Sequence, residues 1–300
     1  MTRGIWTRAA VGIALALAGC QAVPTVESSE LILNAPEREE EIGRREAQRV
    51  ADEIGLVEDP KLVPYVESIG QRLARHAPRA GVRYRFAIAD MPEPNAFALP
   101  GGYIFVSRGL LALANDEAEL ACVLAHEIAH VAARHAAQRE AEAVRAQLLS
   151  ALGVIAAAII GGGEAAAMAG VASQAAGAGI IAAYSREQEH DADRLGQELA
   201  VRAGWDPSGM ATFLRSLENE TRLREGATRL PSYFDSHPAT PDRAANTAAR
   251  GQLLKKSWTP SPSRRDLLAR TDGILLGPSP AEGVVRDARF LHPDLDLALR

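Results

Sequence analysis

His126-Glu127-Ile128-Ala129-His130 lies inside a run, Ala118 to Ala133, that is apolar at nearly every position, with Leu120, Val123, Leu124, Ile128, Val131 and several alanines. A helix apolar on every side is a buried helix, and burying two imidazoles and a carboxylate is costly unless something satisfies them. Residues four apart share one helix face, so His126 and His130 can point two ring nitrogens at one ion. Glu127 projects to the flank of that pair, where a carboxylate can take a proton from water polarised by the ion. The H-E-x-x-H spacing is that of a zinc site built for hydrolysis. Asp116, with Glu119 three residues on, marks the helix start as a capping box.

Two histidines leave a tetrahedral zinc short of a protein ligand, and a catalytic site keeps one position for water. An extended pattern with a glycine at 133 and a third histidine at 136 is absent, both positions being alanine. His135 is one residue out of that register and reads as an ordinary polar helix residue on another face. The donor is expected to be a carboxylate on another helix. Ser185-Arg-Glu-Gln-Glu-His-Asp-Ala-Asp193 provides candidates. Ser185 and Gln188 have capping-box spacing, and acidic residues favour helix N-termini, which accounts for one or two of the four carboxylates. Glu189 and Asp193, four apart, can face the first helix together, with Glu189 as ligand and Asp193 accepting from the far N–H of a ligand histidine. Glu187 with Asp191 fits the same spacing.

H-E-I-A-H followed by S-R-E-Q-E-H-D-A-D resembles the membrane-linked gluzincins, the zinc metallopeptidases that take in HtpX, the CAAX prenyl proteases and the β-barrel assembly-enhancing protease. In that family the third ligand is the Glu of an E-x-x-A-D motif, which implies Glu189 and Asp193 here. Asn95-Ala-Phe-Ala-Leu-Pro-Gly-Gly-Tyr-Ile-Phe-Val106 looks like the family's strand before the active-site helix, and Ser236-His237-Pro238 with Arg243 resembles its downstream His-Pro element. The four motifs cover roughly residues 35 to 250 in the family's order. The resemblance implies an α+β, mostly helical zincin-like domain with a small sheet, one Zn2+ on His126, His130 and Glu189, and Glu127 as general base. It also gives His237 two possible roles, stabilising the oxyanion or reaching the zinc and blocking it. Arg243 is expected to fix a carbonyl or to salt-bridge the acidic cluster. Substrates implied are unfolded or misassembled envelope proteins, β-barrels of the outer membrane above all. The outer-membrane assembly machinery is a further candidate partner. The rival reading is an assembly factor whose zinc site is closed and structural.

Arg3 and Arg8 flank a short apolar run, Ala9 to Leu17, ending in Leu17-Ala18-Gly19-Cys20. That is the layout of a secretory signal, too short for a membrane span of roughly 20 apolar residues. Its last four residues resemble a bacterial lipobox, which implies lipidation at Cys20. Gln21 rather than aspartate after the cysteine suggests, by analogy with lipoprotein sorting, the outer membrane facing the periplasm. Loss of residues 1–19 removes two arginines and no acids, taking the charge from 33 − 38 = −5 to 31 − 38 = −7. With no basic stripe or aromatic platform, nucleic acid is not expected as a partner. Cys122 is then the one remaining cysteine and reads as a small buried hydrophobe.

The expected organisation is a signal over 1–19, a tether over 20–35, a metallopeptidase domain over 36–255 and a C-terminal extension over 256–300. Within the domain, 37–55 reads as a charged helix, Asp59-Pro60 as a cap and first helical position of a helix to His76, and Arg83–Ala89 and Tyr103–Val106 as strands. An edge strand beside the zinc is expected to hold an extended substrate. The Ala/Gly-rich stretch 148–184 reads as a helical insertion over the site. The helix opened by Ser185 runs to about Ala203, and Asp206-Pro207 caps another to about Arg224.

Overall fold

The computed structural model describes residues 36–143, 183–223, 233–237 and 241–257, isolated residues between 267 and 273, and three short strands beyond 283. The signal, Cys20, the tether and nearly all of the insertion at 148–184 lie outside the described residues.

The chain opens with α1 (Pro36–Glu53) and α2 (Leu62–Ala74). Asp59 does not place Pro60 at a first helical position. Its carboxylate accepts from the N–H groups of Lys61 and Leu62, both at 2.8 Å, so the chain turns before α2 begins. Strands β1 (Arg85–Ala89), β2 (Ala96–Leu99) and β3 (Tyr103–Ser107) form a mixed sheet in the order β1-β3-β2, with β3 parallel to β1 and antiparallel to β2. The segment Asn95–Val106 is thus a pair of strands around a turn. Tyr103–Val106 lies at the centre of the sheet, and β2 is an edge beside the active-site helix. Gly101 turns the chain between them at φ 76°, and a Cβ there would lie 2.7 Å from the Glu40 backbone of α1, so side chains are excluded twice over.

Helix α3 (Arg108–Leu113) leads to α4 (Glu117–Ala132), where every residue from Glu117 to Val131 is buried. Asp116 caps α4 through the Glu119 N–H, while the Glu119 carboxylate reaches back to the Asn115 N–H, one residue outside the expected box. Helix α2, the edge strand β2, α5 (Arg186–Arg202) and α6 (Gly209–Leu223) pack around α4, so its apolar flanks fill the core with Leu73, Ile88, Val106, Leu199 and Phe213. Cys122 is fully buried in this packing, as its apolar surroundings suggest, and burial pushes its thiol pKa up. A short α7 (Tyr233–Ser236) and α8 (Pro241–Leu254) close the domain. Beyond residue 283, β4 (Val284–Arg286), β5 (Arg289–His292) and β6 (Leu297–Ala298) form an antiparallel sheet in the order β4-β5-β6. The architecture is α+β, mostly helical with a small three-stranded mixed sheet, as expected. Among the described residues no helix is long and apolar enough to cross a membrane.

Candidate active site

Helices α4 and α5 carry the site because they approach each other with nothing between them. Gly196 faces α4, and a Cβ there would sit 3.0 Å from the His126 amide nitrogen and 3.1 Å from its Cα. Ser185 and Gln188 complete both halves of the capping box that starts α5. The helix phase so fixed turns Glu189 and Asp193 into the domain, 1 % and 3 % exposed. Glu187 is exposed and Asp191 pairs with Arg194 at 2.6 Å near the surface, so of the two carboxylate pairs Glu189 and Asp193 are the one turned inward.

The inward side chains converge. His126 Nε2 and His130 Nε2 are 2.9 Å apart, and Glu189 Oε1 is 3.3 Å from His130 Nε2. His237, presented by the end of α7, lies with Nδ1 2.9 Å from Glu189 Oε1 and 3.3 Å from His126 Nε2. One ligand atom from each of these four buried residues lies within 4.8 Å of every other. Three imidazole nitrogens packed this closely around a carboxylate oxygen cannot all bond to one another, whereas a single ion satisfies all of them. The N3O donor set is one that zinc takes. The residues therefore fit a zinc ion.

Behind them, His126 Nδ1 is 2.9 Å from Asp193 Oδ1. Arg243, 1 % exposed, holds Asp193 through both oxygens, Nε to Oδ2 at 2.8 Å and Nη2 to Oδ1 at 2.7 Å, and also pairs with Glu189 and donates to the His237 carbonyl. Arg243 thus pairs with the acidic cluster and also reaches a carbonyl, that of His237. Burial alone would raise the Glu189 and Asp193 carboxyls. The histidines around Glu189, and Arg243 with His126 around Asp193, outweigh it and hold both below the usual carboxylate range. Burial would lower the His126 imidazole, but Glu189 and Asp193 raise it, while burial keeps His130 well below the ordinary histidine value.

Glu127 differs from its neighbours. It is fully buried, and among the described residues neither carboxylate oxygen accepts a hydrogen bond; His237 Nε2 stands 3.5 Å from Oε1. Burial pushes its pKa up, the direction that suits a proton acceptor at neutral pH.

Two residues escaped the sequence reading. Tyr184 stacks on the His130 ring at 3.8 Å and its N–H donates to the Ser236 carbonyl, tying the start of α5 to the His237 segment. Tyr233 stacks on His237 at 4.4 Å, its N–H donating to the Pro94 carbonyl beside β2. Neither tyrosine has a spacing signal, since both meet the site through tertiary contacts. His135 corrects an expectation. It is 3 % exposed, with Nδ1 2.9 Å from His130 Nδ1. Helix α4 ends at Ala132, and Arg134 at φ 60° re-aims the chain, so continuing the helical phase from His130 put His135 on the wrong face.

A family model described as peptidase family M48 matches residues 60–250. The chain is 33% identical over 216 residues to the β-barrel assembly-enhancing protease of Yersinia pestis, covering 71% of this chain and 43% of that protein. The corresponding protein of Escherichia coli (strain K12) is 32% identical over 203 residues, covering 67% of this chain and 41% of its own. The metalloprotease LoiP of Escherichia coli (strain K12) is 28% identical over 252 residues, covering 80% of this chain and 94% of its own. The matched part is thus about two fifths of the length of the assembly-enhancing proteases.

Proposed function

This chain belongs to peptidase family M48, a family of zinc metallopeptidases, and on that premise we propose that it is a zinc-dependent endopeptidase of the bacterial cell envelope. The observation that carries the reading is the buried, hydrogen-bond-free carboxylate of Glu127 beside four converging donors, which a merely structural site has no use for. His126, His130 and Glu189 are the zinc ligands, Asp193 orients His126 and Arg243 fixes Asp193. Zinc in such a site polarises a carbonyl and brings the pKa of water to about 7. Glu127 accepts the proton from the attacking water and returns it to the leaving amine. The edge of β2 pairs with the extended substrate backbone. Incubation with an unfolded protein such as casein tests this: internal cleavage should stop with a chelator and return with zinc. A zinc-loaded chain that leaves casein intact with His237 replaced, as well as in its native form, would sink the reading.

Substrates are misfolded or stalled envelope proteins, outer-membrane β-barrels among them, a choice supported by the name of the assembly-enhancing proteases. We place the chain at the outer membrane, facing the periplasm, on a lipid at Cys20. Cys20→Ala should move the protein from the membrane pellet to the soluble fraction, and unchanged sedimentation would refute the anchor. The domain scheme, with a tether over 20–35, a peptidase domain over 36–255 and an extension beyond it, belongs to the same reading.

A second reading has its own observation. His237 Nδ1 stands among the donors while its Nε2 faces Glu127, so His237 would supply a fourth protein ligand to the ion. A filled site is latent, or structural as in an assembly factor. His237→Ala should raise casein cleavage by about tenfold or more if the site is a latent enzyme. A structural site would lose zinc affinity and gain no activity.

A further inference from the structure

The ring of His130 has two faces to account for. Its Nε2 points at Glu189 and His126, and its Nδ1 lies 2.9 Å from the Nδ1 of His135. One proton must sit between those two Nδ1 atoms, and its owner decides what His130 can do. A neutral imidazole carries one proton and one lone pair. If His135 keeps the proton and donates it, the His130 proton sits on Nε2, where it occupies the lone pair the ion needs. If His130 donates from Nδ1, its Nε2 is free, and the His135 proton moves to its own Nε2, 3.8 Å from Asp191 Oδ2 at the surface.

His135 reaches this place through a strained turn. Arg134 has φ 60°, a conformation that costs roughly 1–3 kcal/mol outside glycine and persists only where the surroundings enforce it. Glu39 of α1 enforces it here, its Oε1 lying 2.9 Å from Arg134 Nε and 2.8 Å from Nη2. Arg79 holds the other oxygen of Glu39 at 2.7 Å and donates to the Val131 carbonyl in the last turn of α4. Gln188 of α5 donates to the His135 carbonyl. A polar helix residue with no task would need none of these constraints.

We infer that His135 is a positioning residue that accepts the Nδ1 proton of His130 and so presents the Nε2 lone pair of His130 to the metal, as Asp193 does for His126. The inference rests on the zinc reading above. Partners of this kind are typically worth roughly 10- to 100-fold in metal affinity. In the full chain, His135→Leu should weaken zinc binding by roughly that factor in competition with a chromophoric chelator. His135→Asn, whose Oδ1 occupies the place of Nδ1 and only accepts, should keep most of the affinity. The visible spectrum of the cobalt-substituted protein should change in the leucine variant and stay close to native in the asparagine variant.

Native affinity in the leucine variant, or an equal loss in both, overturns the inference. Should His135→Leu fail to fold, 15N chemical shifts of the zinc-loaded native chain decide it. A proton on His130 Nδ1 and on His135 Nε2 supports the role, and one on His135 Nδ1 overturns it. A native chain that binds no zinc removes the zinc reading and the inference together, whereas zinc bound natively and unchanged in the leucine variant removes the inference alone.

Discussion

Glu127→Gln should abolish proteolysis while leaving zinc bound. Glutamine keeps the volume and shape of glutamate and removes its ability to take a proton. Neither Glu127 oxygen accepts a hydrogen bond among the described residues, His237 Nε2 standing 3.5 Å from Oε1, and the four converging donors are other side chains. The loss should be at least about a thousandfold in kcat/KM, toward the upper end for a positioned general base. Stability should move the other way. A fully buried carboxylate without a hydrogen bond opposes folding, so the variant should melt at or above the parent's temperature. Casein cleavage, zinc content and thermal unfolding on one preparation check all three. Cleavage within about tenfold of the parent with zinc in place would end Glu127's role as base.

Much of this site was legible because its determinants are local. His126 and His130 sit four residues apart on a helix, and so do Glu189 and Asp193, so one helical period names both pairs. The capping box at Ser185 fixes the phase of α5 and thereby which acids turn inward. Choosing Glu189 over Glu187 needed either the resemblance or the fold, because the spacing is the same for both pairs. His135 was misread because periodicity assumes that the helix continues, and it breaks at Arg134 under the grip of Glu39, a residue 95 positions away in sequence. Tyr184 and Tyr233 were invisible for a related reason, since ring stacking follows from how segments meet and leaves no periodic trace. The β2–β3 pair was half legible: Tyr103–Val106 read as a strand, but the four residues of Ala96–Leu99 are too few for alternation to register.

The same long-range logic makes Arg243 the most consequential residue behind the metal donors. Its guanidinium pairs with two buried carboxylates, Asp193 through a bidentate contact and Glu189 through Nη1, and braces the His237 carbonyl. Methionine fills similar space and leaves Asp193 without its bidentate guanidinium. Removing one partner of a buried pair costs about 3–5 kcal/mol, which in a domain of this size corresponds to a drop of roughly 10 °C in Tm. The pH dependence gives a second signature. With carboxyls held below their ordinary range, the native cluster contributes stability that is full above about pH 4 and is lost only as pH falls through the depressed values. In Arg243→Met burial regains the upper hand over Asp193, its pKa rises, and acid unfolding should begin at higher pH. Adding Asp193→Asn should recover part of the loss, because the orphaned charge goes with it and the two changes are then non-additive. If the double variant is destabilised by the sum of the single changes, Arg243 acts by filling space and not by holding charge.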